Sequence, residues 1–208
     1  QVRSFASHLL EMGVAPGDRV CAYLPNTPHT VVAFLACASV GAIWSVCSPD
    51  MGPVAVLDRF RQIAPKVLFA CDGYYYNGKV IDCLGKVAEI AARMPSLERV
   101  VIVPYAGSGA SIAAVKHGVP LADFLAPFAG EREIRFERLP FEHPLYILYS
   151  SGTTGVPKCI VHSAGGTLLQ HLKEHRLHSD VKPGARLFYF TTCGWMMWNC
   201  RVSGLASG

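Results

Sequence analysis

Residues 145–161 read LYILYSSGTTGVPKCIV, and the rest of the chain is organised around this stretch. The apolar run 145–149 indicates a buried strand, and a second apolar run, 159–161, follows it. Between them, residues 150–158 hold several hydroxyl groups, two glycines and one lysine, with no acidic residue. Backbone N–H groups and hydroxyls in such a glycine-containing loop can surround anionic oxygens, and a lysine adds a compact positive charge. The stretch therefore predicts a loop that binds a polyphosphate.

Two other kinds of phosphate loop do not fit this stretch. A Walker A motif needs glycine directly before the lysine and serine or threonine directly after it. Here Pro157 precedes Lys158 and Cys159 follows it. The G-x-G-x-x-G spacing of a kinase glycine-rich loop is also missing from the stretch. The alternative interpretation of 150–158 is a flexible surface turn between two strands.

The loop 150–158 resembles the phosphate loop of the adenylate-forming superfamily, which comprises acyl-CoA synthetases, luciferases and the adenylation domains of peptide synthetases. Further stretches are similar to acyl-CoA synthetases that activate a short acid. They are LPNTP at 24–28, GAIWSVCSPD at 41–50, VLDRF at 56–60 and GWMMWN at 194–199. The resemblance extends over residues 4–208, which is essentially the whole chain.

The resemblance implies an ATP-dependent acid–CoA ligase. In such an enzyme the acid attacks the α-phosphorus of ATP, pyrophosphate leaves, and the thiol of coenzyme A then takes the acyl group from the adenylate. The implied cofactors and substrates are ATP, Mg²⁺, coenzyme A and acetoacetate, with acetate or propionate as the alternative acid. A non-ligase nucleotide-binding module that uses the same loop is a further alternative. We expect small-molecule partners, with no nucleic acid and no membrane.

The resemblance also implies roles for individual residues. The expected ATP phosphate-binding residues are Ser150, Ser151, Gly152, Thr153, Thr154, Gly155 and Lys158. Lys158 is also the expected catalytic residue, because its charge would offset the charge on the departing pyrophosphate. Trp195, Met196 and Met197 are expected to shape the acyl pocket and the coenzyme A tunnel, although Met196 and Met197 would also suit an ordinary core. Lys79 lies near where relatives place basic residues against the coenzyme A phosphates.

Helical and strand patterns alternate along the chain, which predicts an α/β fold with three layers and a mostly parallel sheet flanked by helices. The predicted helices are 1–12, 30–40, 54–63, 79–94, 121–128 and 164–175. The predicted strands are 19–24, 43–47, 66–70, 99–104, 145–149, 159–163 and 186–191. The phosphate loop and the turn at Trp195 both follow predicted strands, so both should line one crevice at the carboxyl ends of the sheet.

Composition narrows the class of protein. The hydrophobic fraction of 51% is ample for a buried core, and a net charge of +4 without a Lys/Arg block gives no argument for nucleic-acid binding. Eight cysteines without a C-x-x-C pattern predict reduced thiols in a cytoplasmic protein. The uncharged run 20–49 contains a turn, and its apolar part is shorter than the about 20 residues that a membrane-spanning helix needs. These two features favour a buried helix followed by a buried strand.

Two expectations concern metal sites and domain organisation. His171 and His175 share a helical face, which is a spacing permissive for zinc, but partly exposed helical histidines are the preferred interpretation and no metal site is predicted. Residues 1–208 are expected to be part of the large N-terminal adenylation domain of an adenylate-forming enzyme. The adenine, ribose and hinge motifs and the small C-terminal domain are not found in this sequence, so the chain alone is expected to be inactive.

Overall fold

The computed structural model describes residues 1–107, 111–130, 133–134, 136–151 and 155–208. The helices are α1 Val2–Glu11, α2 Pro28–Ser39, α3 Pro53–Phe60, α4 Leu84–Ala92, α5 Leu121–Leu125, α6 Ala164–Lys173 and α7 Met196–Ser203. The strands are β1 Arg19–Tyr23, β2 Ile43–Cys47, β3 Val67–Cys71, β4 Gly73–Tyr76, β5 Lys79–Asp82, β6 Arg99–Val103, β7 Gly118–Pro120, β8 Pro144–Tyr149 and β9 Cys159–Ser163.

Within the described residues, seven strands form one sheet in the order β7-β6-β3-β1-β2-β8-β9. Every neighbouring pair is parallel except β8 and β9, which run antiparallel and are joined by the predicted phosphate loop. The strands β4 and β5 form a separate antiparallel hairpin. The prediction of a mostly parallel sheet is confirmed.

The central strands show why the sheet has helices on both faces. All residues of β2 and β3 are buried, so both faces of these strands face apolar groups rather than water. The connection through α2 leads from β1 to β2, whereas the connection through α3 leads back across β1 to β3. Right-handed crossovers in opposite directions lie on opposite faces of a sheet. In agreement, α1 packs on α2 and α5 while α3 packs on α4, which confirms the three layers.

The uncharged run 20–49 folds as most of β1, the helix α2 and the strand β2. This confirms the prediction of a buried helix followed by a buried strand. In the described part of the chain, none of the helices has the length and apolar character needed to cross a membrane.

The predicted helix 79–94 was wrong in its first part. Its first residues form β5, and the helix α4 begins only at Leu84. Asn77 and Gly78 connect β4 to β5 with φ angles of +48° and +73°. An Asn-Gly pair with two positive φ angles makes the tight turn that joins twisted antiparallel strands. This local turn preference prevailed over the helical spacing of the apolar residues.

The predicted strand 186–191 was also wrong. These residues form no regular element, and the side chains of Phe188 and Phe190 are 81% and 90% exposed. Backbone N–H and C=O groups of a strand need a neighbouring strand as partner. No strand within the described ranges pairs with this segment, so its apolar composition alone does not make it a strand.

Candidate functional site

A cleft of about 270 Å³ opens at the carboxyl ends of β2 and β8. These two strands are parallel neighbours, with Trp44 opposite Tyr146. In open α/β sheets, ligands bind outside the carboxyl ends of the strands. The walls come from the turn after β2, the end of α3, the start of the phosphate loop and the segment before α7, and they include Ser150, Ser151 and Trp195. The predicted crevice therefore exists and brings these three predicted residues together.

The phosphate loop closes the hairpin between β8 and β9. The N–H group of Ser150 donates to the carbonyl oxygen of Lys158 at 3.0 Å. In return, the N–H group of Lys158 donates to Oγ of Ser150, also at 3.0 Å. These two bonds join the ends of the loop. Ser151 and Gly155 are exposed, and the predicted residues Gly152, Thr153 and Thr154 lie outside the described residues.

The Lys158 side chain is exposed at the end of the loop and is not part of the cleft wall. Its backbone is held by the bonds to Ser150, and Pro157 before it is buried. Proline fixes its own φ near −65°, which further limits the motion of this part of the chain. The geometry thus gives Lys158 a restrained backbone and an exposed side chain at the end of the loop.

The turn after β2 is held by a buried hydroxyl. The Tyr23 hydroxyl lies between the carbonyl oxygens of Pro49, at 2.7 Å, and Met51, at 2.6 Å. Burial raises the pKa of Tyr23, so its hydroxyl keeps its proton and can donate. Asp50 stands between the two carbonyls and its exposed side chain lines the cleft. This turn therefore supplies the cleft with a carboxylate on a backbone that is held in place.

Arg59 is a cleft residue to which the sequence analysis assigned no role. Its Nη1 donates to the carbonyl oxygen of Ala55 at 2.7 Å, and its guanidinium carbon lies 5.8 Å from the centre of the Tyr149 ring. Guanidinium stays charged and presents donors that match phosphate and carboxylate oxygens. The sequence feature that could have indicated this residue is an arginine in an otherwise largely apolar helical run, VAVLDRF at 54–60. Arg59 adds a positive charge beside the start of the phosphate loop.

Tyr149, the last residue of β8, forms a neutral part of the wall. Its Oη lies 3.2 Å from Oγ of Ser45, which also donates to the carbonyl oxygen of Ile147 at 2.8 Å. Burial raises the pKa of Tyr149, so the phenol stays protonated. The formal charges on the described cleft wall are therefore those of Arg59 and Asp50.

The segment before α7 lies against β2. Cys193 is fully buried, and a Cβ atom on Gly194 would lie 3.4 Å from the carbonyl oxygen of Val46. The side chain of Trp195 is 66% exposed and lines the cleft. Met196 is 44% exposed and Met197 is half-buried, and neither is part of the cleft wall. The fold thus places only Trp195 of these three predicted pocket residues on this cleft.

Lys79 lies away from the cleft. It is the first residue of β5, pairs with Tyr76 across the hairpin, and is exposed. The hairpin also exposes Tyr75 and Tyr76, which are 57% and 67% accessible. The structure does not bring Lys79 together with Ser150, Ser151 and Trp195 in one cavity.

The expectation that His171 and His175 are partly exposed was wrong, because both are buried, at 6% and 4% exposure. Nε2 of His175 lies 2.7 Å from the carbonyl oxygen of Cys200 and 3.1 Å from Oγ of Ser203. His175, two residues beyond the end of α6, is thus covered by α7, which the helical pattern of residues 164–175 does not reveal. Among the residues that the structure describes, no group of three or more His, Cys, Asp or Glu side chains could hold a metal ion.

The sequence model of the AMP-binding enzyme family matches residues 1–206. The chain belongs to the AMP-binding enzyme family. It is 60% identical over 213 residues to acetoacetyl-coenzyme A synthetase of Rhizobium meliloti (strain 1021), and 52% identical over 212 residues to acetoacetyl-CoA synthetase of Mus musculus. Both alignments cover 100% of this chain and 32% of the relative.

Two further relatives match this member of the AMP-binding enzyme family along its whole length. Malonamoyl-CoA synthetase of Penicillium aethiopicum is 46% identical over 219 residues, covering 100% of this chain and 30% of the relative. The structure of acetoacetyl-CoA synthetase from Streptomyces lividans superposes with a TM-score of 0.92 at 49% identity, over 100% of this chain and 31% of that one. The chain thus spans about a third of the length of these relatives. The resemblance to acyl-CoA synthetases and the predicted fold class are confirmed.

Proposed function

We propose that the protein is an ATP-dependent ligase that joins acetoacetate to coenzyme A through an acyl-adenylate. The observation that carries this proposal is the cleft at the carboxyl ends of β2 and β8, where Ser150, Ser151 and Trp195 meet. Support also comes from the identity of 52–60% to acetoacetyl-CoA synthetases along the whole chain. In this proposal, residues 1–208 are part of the N-terminal adenylation domain.

The phosphate loop would hold the β- and γ-phosphates of ATP. The proposed ligands are the backbone N–H groups and hydroxyls of Ser150, Ser151, Gly152, Thr153, Thr154 and Gly155, together with the Lys158 amine. Gly155 has a φ angle of +153°, which L side chains rarely adopt, so glycine suits this end of the loop. Lys158 then supplies the positive charge that the hydroxyls lack.

The first half-reaction depends mainly on positioning and charge neutralisation. A carboxylate oxygen of the acid attacks the α-phosphorus, the bond to the bridging oxygen breaks, and the electron pair leaves with pyrophosphate. Lys158 would offset the charge that builds on pyrophosphate, and Arg59 would attract an anionic group to the cleft beside Tyr149. In the second half-reaction the thiol of coenzyme A attacks the acyl carbonyl and AMP leaves. Lys79 stays a candidate contact for the coenzyme A phosphates.

Mg²⁺ would enter as part of the substrate, bound to ATP. Asp50 is the carboxylate among the described residues of the cleft wall. Proteins usually bind Mg²⁺ through one or two carboxylates plus substrate phosphates rather than through a cage of protein ligands. One carboxylate beside a phosphate loop fits this arrangement.

A cytoplasmic location is also proposed, supported by eight cysteines that are all free.

A second candidate acid is malonamate, because the chain is 46% identical to a malonamoyl-CoA synthetase. Malonamate has an amide nitrogen where acetoacetate has a methyl carbon, so the two acids have nearly the same shape. Both carry a carbonyl group β to the carboxylate, and acetate and propionate do not. Acid selection would therefore rest on the β-carbonyl as well as on length.

The test is carboxylate-dependent exchange between ATP and labelled pyrophosphate by the native full-length polypeptide that carries this sequence. We expect the highest kcat/KM with acetoacetate and a much lower value with butyrate, which has the same chain length without the β-carbonyl. A site that hydrogen-bonds a substrate group can reject the analogue lacking it by up to about 10⁴-fold. Binding of ATP without acid-dependent exchange would instead support a nucleotide-binding module. A preference for acetate or propionate would support another short-acid ligase.

Shortening Met197 tests the proposed acyl pocket. Met197→Gly should raise the relative kcat/KM for longer acids, because the proposal places the Met197 side chain, which is half-buried and outside the described cleft wall, at the end of the acyl pocket. Each added methylene is worth roughly 10- to 200-fold at most. The measurement is kcat/KM along a series of acids of increasing length, with Cys200→Gly as the control, because Cys200 is half-buried in the same helix and is not a predicted pocket residue. Relative values that match the parent protein would remove Met197 from the pocket.

A further inference from the structure

Gln62, just beyond the end of α3, contacts the far end of the phosphate loop. Its Nε2 donates to the carbonyl oxygen of Asp58 at 2.6 Å and to the carbonyl oxygen of Pro157 at 2.8 Å. Its Oε1 lies 3.5 Å from Sγ of Cys159, within reach of a weak bond from the thiol. The Pro157 contact joins residues 95 positions apart and is partly buried. Both N–H donors of the amide are therefore engaged, one with a carbonyl oxygen of α3 and one with a carbonyl oxygen of the loop.

The Pro157 carbonyl belongs to the peptide unit that leads into Lys158. The oxygen of this unit accepts from Gln62, and its N–H group donates to Oγ of Ser150 at 3.0 Å. One peptide plane is thus held from both sides. Because the Cα atom of Lys158 is attached to this plane, the direction in which its side chain leaves the backbone is restrained.

The same end of α3 also contacts the beginning of the loop. The guanidinium of Arg59 lies over the ring of Tyr149, the residue directly before the loop. Arg61, between Arg59 and Gln62 in sequence, instead donates to the carbonyl oxygen of Arg93 at 3.2 and 3.0 Å. The end of α3 and the residues just after it therefore contact Tyr149, directly before the loop, and Pro157, near the end of the loop, while Arg61 contacts the end of α4.

We propose that Gln62 is a positioning residue that holds the backbone of Lys158 and thereby limits the region that the Lys158 amine can reach. The proposal rests on the proposed function, because it assigns Gln62 an effect on catalysis only through Lys158. Gln62 itself does not line the cleft. Catalytic charges must be held close to the productive geometry, and a displacement of about 1 Å from a remote substitution can cost about 10²-fold in rate.

The experiment compares Gln62→Ala with Arg61→Ala in the native full-length polypeptide. Gln62→Ala should lower kcat for ATP–pyrophosphate exchange by about 10- to 100-fold and change KM for the acid little. Amide hydrogen exchange at Lys158 should become faster, because its peptide unit has lost one support. Arg61→Ala, which removes two bonds to Arg93 and none to the loop, should leave both readouts unchanged. Gln62→Glu keeps the size of the side chain but loses the donor, and it should behave like Gln62→Ala.

A double-mutant cycle separates positioning from general damage. If Gln62 acts through Lys158, Gln62→Ala should cost nothing further in a Lys158→Ala background. Additive losses, or an unchanged rate of amide exchange at Lys158 in both Gln62 variants, would overturn the proposal. The amide measurement needs no activity. If the parent shows no acid-dependent exchange, the proposed function fails, and amide exchange still decides whether Gln62 holds the Lys158 backbone.

Discussion

Replacing Lys158 with alanine should lower the rate of adenylation by about 10²–10³-fold, the usual cost of one preorganised electrostatic contact. The reason is that Lys158 would offset charge that develops on pyrophosphate as the bond to the α-phosphorus breaks. An interaction made mainly in the transition state affects kcat more than binding of the acid. Stability should barely change, because the side chain is exposed. The measurements are ATP–pyrophosphate exchange and thermal unfolding.

The matched control for Lys158→Ala is Lys116→Ala. Lys116 is also exposed, and it lies just before β7 at the other edge of the sheet, so the variant loses the same charge away from the loop. Thioester formation from pre-formed acyl-adenylate should be far less affected in Lys158→Ala, since pyrophosphate has already left. Exchange at the parent rate would contradict the role of Lys158. Equal slowing of both half-reactions would indicate a general disruption of the cleft.

The second large effect concerns stability. Phe69→Ala should lower the free energy of unfolding by about 3–5 kcal/mol, the usual cost of truncating a buried phenylalanine. Phe69 lies in the middle of β3 and is fully buried. Its ring centre lies 5.5 Å from that of Phe5 in α1 and 5.6 Å from that of Phe124 in α5. The truncation would leave a cavity where the sheet meets two helices. Urea denaturation measures the change.

Two controls accompany Phe69→Ala. Phe69→Leu keeps most of the side-chain volume and should cost clearly less than the alanine variant. Phe136→Ala truncates a phenylalanine that is 73% exposed, so it should change stability by no more than about 0.5 kcal/mol. If Phe69→Ala lost less than about 1 kcal/mol, the aromatic cluster would not be a main support of the core.

Side-chain periodicity and composition predicted the wrong element at two places. Residues 79–94 carry helically spaced apolar side chains, but the Asn-Gly turn before them pairs β5 with β4. Residues 186–191 have the composition of a strand but no described strand to pair with. In both cases the secondary structure depended on which backbone N–H and C=O groups found hydrogen-bond partners. Side-chain periodicity does not show where such partners are.

The sequence by itself determined the layers and the loop. Strands such as β3, with VLFAC apolar on both faces, are stable only between two helical layers, so the three-layer α/β fold follows from composition and alternation. Likewise, the prediction of anion binding at 150–158 follows directly from the sequence, because glycines, hydroxyls and a lysine stand together without an acid. Both predictions depend on residues that are close together in the sequence, so they need no knowledge of contacts between distant residues.

Only the tertiary structure decided what surrounds the loop. Arg59 enters the cleft because α3 crosses back over the sheet, and Gln62 reaches Pro157 across 95 positions of sequence. The burial of His171 and His175 depends on α7 packing over α6. These contacts arise from the crossover direction and from the packing of separate elements, which depend on many weak interactions at once. A local sequence pattern reports whether a side chain prefers burial, but not which distant residue it meets there.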